Sequence, residues 1–127
     1  MRSVPFALLF AAISANAVAA QDLGAGELVF KKCAPCHMVG EAARSRAAPT
    51  LNGIEGRPAG TVEGFKYSEA NKASGIVWNE ETFKEYIRNP QARVPGTKMP
   101  FPGLKDEQEI NSLWAFLKQF APDGRKL

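Results

Sequence analysis

The chain has 127 residues, 45% of them hydrophobic and 23% charged, with 16 Lys+Arg against 13 Asp+Glu for a formal net charge of +3. That length suits one compact domain around one core. So slight a basic excess excludes the dense cationic stripe that nucleic-acid binding requires, while leaving room for a partner with an acidic patch.

Residues 1–20 (MRSVPFALLFAAISANAVAA) carry Arg2, an apolar run through Ile13 and small residues at the end, the pattern of a secretory signal peptide. The alternative is a membrane anchor, which needs about 20 apolar residues. Ser14 and Asn16 interrupt a core well short of that. Cleavage after Ala19 or Ala20, export to the periplasm and a working domain of residues 21–127 without a membrane span are the expectations. Export also bears on the cysteines, because disulfides persist outside the cytosol.

Asp22–Cys33 (DLGAGELVFKKC) opens with a capping residue and places Leu23, Leu28, Val29 and Phe30 in a helix-compatible stretch. From Met38 to Thr61, Gly, Pro, Ser and Arg occur without strand alternation, which predicts long loops. A loop-rich centre in so small a domain implies that something other than regular secondary structure fills it. Ser68–Lys72 predicts one or two helical turns before Gly75. Asn79 caps a clearer helix, with Glu80 and Glu81 in its first turn, Phe83, Tyr86 and Ile87 on one face, and Pro90 as its stop. Pro90–Gly103 (PQARVPGTKMPFPG) holds four prolines and two glycines and reads as loop throughout. Asp106, with Glu109 three residues on, starts the strongest helix, where Ile110, Leu113, Trp114, Leu117 and Phe120 recur at helical spacing up to Pro122. The sum is an all-α domain of three to four helices and long loops.

Both cysteines and the only histidine lie in Cys33–His37 (CAPCH). Four chemistries use such a run. Structural zinc needs four ligands, and the chain has no second ligand pair. A thioredoxin-like redox pair needs a preceding strand in a βαβ unit, and here a helical segment precedes. A disulfide between Cys33 and Cys36 leaves His37 without a role. Covalent haem uses all three residues: each thiol adds to a vinyl group to form a thioether, and the adjacent imidazole becomes the proximal iron ligand. A single haem c would also supply the missing centre of the core, and its thioethers would staple a domain of thin stability margin.

The second axial position then separates two classes of function. An open position suits a peroxidase or gas-binding haem protein, whereas a second protein ligand keeps other molecules off the iron and suits an electron carrier. No second histidine exists, and Met38 adjoins the proximal side. Met99, in the Pro/Gly-rich segment, is the candidate sixth ligand, to be weighed against the usual role of methionine as core filler. Thioether sulfur favours ferrous iron and raises the reduction potential.

The stretches GELVFKKCAPCH, PTLNGIEGRPAG, GFKYSEANKASGIVW, EYIRNP and GTKMPFPGL, followed by the final helix, together resemble class I cytochromes c, and among them the periplasmic cytochrome c2 type similar to mitochondrial cytochrome c. The resemblance spans residues 21–127 and implies the cytochrome c fold, wrapped around one covalent haem. It makes Cys33 and Cys36 the thioether attachments and His37 and Met99 the axial ligands, with the Pro49 carbonyl orienting His37 as outer-shell partners do. Arg57, Tyr67 and Trp78 would hold the haem propionates, Tyr86 would lie near the methionine sulfur with Asn71 in the adjacent internal water network, and Phe101 would cover the haem edge. Gly26 and Phe30 would meet Leu113 and Phe116 where the first and last helices cross.

The implied activity is one-electron transfer, without enzymatic turnover. The implied partners are a quinol-oxidising, bc1-like complex and a terminal acceptor: an oxidase, a reaction centre, or a periplasmic dehydrogenase or reductase. The carrier is expected to be a monomer. Lys32, Arg44, Arg46, Arg93, Lys98 and Lys105 form a candidate docking ring, since rim charges mainly set encounter rate and salt dependence. Two departures stand out. Gln91 and Ala92 follow Pro90 where relatives commonly carry lysines, and Pro100 follows Met99 where an aliphatic residue is usual.

Overall fold

The computed structural model describes the chain from residue 15, with side chains from Leu23, to Leu127. Its helices are α1 (Ala15–Phe30), α2 (Glu69–Lys72), α3 (Glu80–Arg88), α4 (Pro90–Arg93) and α5 (Glu107–Leu117). Among the described residues the only β pairing is two isolated antiparallel bridges, Pro58 with Val77 and Phe120 with Lys126. The domain is therefore all-α, as expected. None of the described helices is long and apolar enough to cross a membrane.

Capping chemistry places the helix starts. The Asn79 side chain accepts from the Thr82 amide at 2.9 Å, and the Thr82 hydroxyl accepts from the Asn79 amide at 3.0 Å, a reciprocal box that begins α3. Asp106 accepts from the Glu109 amide at 2.9 Å and begins α5. Ser68 accepts from the Asn71 amide at 3.0 Å and begins the single turn of α2.

Three boundaries differ from expectation. α1 runs through the end of the expected leader, so Asp22 lies inside it rather than at its N-cap; the Ala-rich ANAVAA segment has high helix propensity and nothing breaks it there. The rest of the leader lies outside the described residues. Pro90 ends α3 but also starts α4, because a residue at the first helical position needs no amide donor, and Asn89 caps that turn by accepting from the Ala92 amide at 3.2 Å. α5 stops at Leu117, short of Phe120. There the chain turns back, and Ala121 and Leu127 donate to the carbonyls of Arg125 and Gln119 at 2.8 Å each.

α1 crosses α5, the main helix–helix contact of the fold. Gly26 makes the close approach possible: a Cβ built there would stand 2.0 Å from the Ser112 carbonyl oxygen and 2.6 Å from Phe116 Cβ. Around the crossing, Phe30 meets Phe116 with ring centroids 5.4 Å apart, Phe83 meets Trp114 at 5.1 Å, and Ile110, Leu113 and Leu117 are at most 1% exposed. From this packed rear the long connections swing forward to enclose a cavity.

Candidate functional site

That cavity has a volume of about 430 Å³, within the usual range for a small-molecule or cofactor site. One wall is the continuation of α1. The Cys33 and Ala34 amides donate to the Phe30 carbonyl at 2.8 and 3.0 Å, and the Cys36 and His37 amides donate to the Cys33 carbonyl at 3.1 and 2.9 Å. This helical turn brings Cys33, Cys36 and His37 to the cavity together. The two thiols are free, and burial pushes that of Cys33 up to about 11, against the smaller lowering pull of Lys32.

His37 Nδ1 donates to the Pro49 carbonyl at 2.7 Å. A carbonyl can only accept, so this bond puts the proton on Nδ1 and leaves the Nε2 lone pair free for a metal. Burial, more than the Arg57 charge, lowers the His37 pKa and keeps the ring neutral, while the Pro49 bond opposes it.

The Thr97–Pro102 segment supplies another wall. Met99 is half-buried there, and the Tyr86 hydroxyl donates to its Sδ at 3.5 Å. The same hydroxyl lies 3.3 Å from Thr97 Oγ1, which also accepts from the Met99 amide at 3.4 Å. Gly103 seats the far end of this segment: its φ is +111°, and a Cβ there would meet the Arg88 carbonyl oxygen at 2.1 Å.

Arg57 reaches the cavity with its Nη1 donating to the carbonyls of Thr50 (3.2 Å) and Asn52 (2.9 Å). It makes no ion pair with any carboxylate among the described residues, and burial lowers its pKa. A half-buried cation facing a cavity without a counter-charge calls for an anionic group on the ligand. Tyr67 and Trp78, both buried, line the same space; the Tyr67 hydroxyl accepts from the Val62 amide at 3.0 Å, and burial raises its pKa. Asn71 and Phe101 line it too. All nine residues expected around a haem, Pro49 among them, thus meet at one cavity with His37 and Met99.

The candidate docking residues are less uniform. Lys32 and Lys98 border the cavity, Lys32 paired with Glu109 at 3.1 Å. Arg44 and Arg46 are exposed, just ahead of the cavity residues Ala47 and Ala48. Arg93 pairs with Glu85 at 3.3 Å, and Lys105 donates to the Arg88 carbonyl; neither lines the cavity.

Sequence reasoning missed Thr97 and Lys66, which also line the cavity. A polar residue two positions before the candidate ligand was the available signal for Thr97. For Lys66 there was none beyond its place beside Tyr67.

Comparison with known proteins matches residues 24–121 to the family model described as cytochrome c. The chain belongs to the cytochrome c family. It is 54% identical over 126 residues to cytochrome c2 of Blastochloris viridis, covering 99% of both chains. It is 57% identical over 106 residues to a cytochrome c2 of Rhodoplanes tepidamans, covering 84% of this chain and 99% of that protein. Among solved structures, cytochrome cH from Methylobacterium extorquens superposes with a TM-score of 0.72 at 38% identity, covering 76% of this chain and 97% of the other. Membership makes this cytochrome c an electron-transfer protein rather than an enzyme, and one that carries a single covalently attached haem c. The residues present fit that group: two free thiols, an imidazole with Nε2 available, a thioether and an uncompensated cation face one cavity.

Proposed function

We propose that this cytochrome shuttles single electrons with its haem held by Cys33 and Cys36 and its iron ligated by His37 and Met99. When bound, the haem supplies a reversible ferric/ferrous couple, and everything else is set by the chain. The observation that carries the reading is the pair of oriented ligands: His37 is fixed through Nδ1 by Pro49, and Met99 Sδ is fixed by the Tyr86 hydroxyl. Restrained ligands of this kind stay in place in both oxidation states, so little rearrangement opposes electron transfer. They also leave no protein-free position for a peroxide or a gas, which argues against a peroxidase or gas-binding role.

Arg57, Tyr67 and Trp78 would meet the acidic edge of the haem, the Arg57 charge answering its carboxylates. Asn71 and Tyr86 would order the methionine side, and Phe101 would shield the edge. The working domain is residues 21–127, exported to the periplasm after loss of residues 1–20; the Rhodoplanes tepidamans relative, almost wholly matched by 106 residues, supports a domain of that length.

Electrons would arrive from a quinol-oxidising, bc1-like complex and leave to an oxidase, a reaction centre or a periplasmic redox enzyme. Lys98, Lys32, Arg44 and Arg46 would steer acidic partners to the cavity mouth, with Arg93 and Lys105 farther out. The ferric protein tests the ligation: it should be low-spin, with the near-infrared absorption of methionine-to-iron charge transfer, and a high-spin five-coordinate spectrum would contradict it.

A further inference from the structure

The segment that carries Met99 has little backbone support of its own. The Thr97 amide bonds the Val94 carbonyl at 3.0 Å and the Leu104 amide bonds the Ile87 carbonyl at 2.8 Å, but among the described residues no backbone–backbone hydrogen bond ties residues 98–103. Pro100 and Pro102 have no amide proton to offer. Side chains therefore hold the segment. Tyr86 and Thr97 do so from inside the cavity, and from outside the work falls to Gln91.

Gln91 Nε2 donates to the Thr97 carbonyl and to the Met99 carbonyl, each at 3.1 Å. One planar amide nitrogen carries two protons, so both bonds form together and bridge the two residues flanking Lys98. The base of this bridge is firm. Gln91 sits on α4, whose Pro90 is fully buried, whose start is capped by Asn89, and which is followed by Val94 at 3% exposure. The load it holds is the backbone of the proposed ligand.

We propose that Gln91 is a positioning residue: its side-chain amide clasps the Thr97 and Met99 carbonyls and keeps the methionine loop closed over the haem. This inference rests on Met99 being an axial ligand. Two hydrogen bonds from the exposed Gln91, each at the low end of the usual net contribution, give the clasp a bias of roughly five- to tenfold toward the closed loop. Neither glutamate, which cannot donate, nor leucine, which can do neither, can replace it.

The test is a titration of the ferric holoprotein with imidazole, which competes with Met99 for iron, followed by loss of the near-infrared methionine band. Gln91→Leu and Gln91→Glu should each bind imidazole roughly five- to tenfold more tightly than the wild type, with covalent haem retained and with faster amide exchange at Lys98 and Met99. Glu85→Gln, which breaks the exposed ion pair from α3 to Arg93 but touches neither clasped carbonyl, should stay within about twofold of wild type. Unchanged imidazole affinity in both Gln91 variants would overturn the proposal, and so would an equal gain in Glu85→Gln. A wild-type protein lacking the methionine band would defeat the ligation itself, and is read before any variant is made.

Discussion

The rear and the front of this domain are stabilised in different ways. At the rear, α1 and α5 cross at Gly26 and bury Ile110, Trp114 and Phe116, none of which lines the cavity. At the front, Met99, Arg57 and His37 stand around a cavity of about 430 Å³ and are held by individual hydrogen bonds from side chains and loop carbonyls. Apolar burial is non-directional, whereas ligand placement depends on a few bonds of defined length and direction. The rear should therefore set stability and the front should set redox behaviour.

Variants can break that division, and the largest effect is expected at the rear. Ile110 is 0% exposed, so Ile110→Ala should lower unfolding free energy by about 2–5 kcal/mol in denaturant titrations of the holoprotein, with visible and near-infrared spectra unchanged. Gly26→Ala forces a Cβ to 2.0 Å from the Ser112 carbonyl oxygen; the helices must part, at a cost of about 1–3 kcal/mol. A spectrum altered as strongly as the stability in either variant would merge the two regions.

At the front, Thr97→Val removes the hydroxyl that lies between Tyr86 and the Met99 amide. Unfolding should shift by only about 1 kcal/mol, while the methionine band weakens and the reduction potential moves, which potentiometry would record. The smallest effect is expected at the surface. Lys98→Glu should slow reduction by an acidic redox partner at low ionic strength and have little effect at high salt, because exposed charges are screened beyond about 10 Å at 0.1 M. An unchanged low-salt rate would remove Lys98 from the docking surface.

The same division explains what could be read from the chain before its fold was known. α3 and α5 were legible because periodic apolar residues and the caps Asn79 and Asp106 act locally. Cys33, Cys36 and His37 were legible because a single chemistry uses all three at that spacing. Met99 stood out as the one soft donor of the Pro/Gly-rich segment Pro90–Gly103. Arg57, Tyr67 and Trp78 came only through family resemblance, since nothing local distinguishes a propionate partner from a loop charge or a core aromatic. α4 was hidden because a proline that stops one helix can begin the next. The Gln91 clasp was hidden because it depends on the path of the following loop; in the sequence Gln91 appeared only as a missing lysine.

The central claim, that Met99 closes the iron's sixth position, is tested most directly by the reduction potential of Met99→Ala. The variant should keep its covalent haem through Cys33 and Cys36, fall to a lower potential than the wild type, and bind carbon monoxide in the ferrous state. A variant that keeps the wild-type potential and remains closed to carbon monoxide would contradict the account.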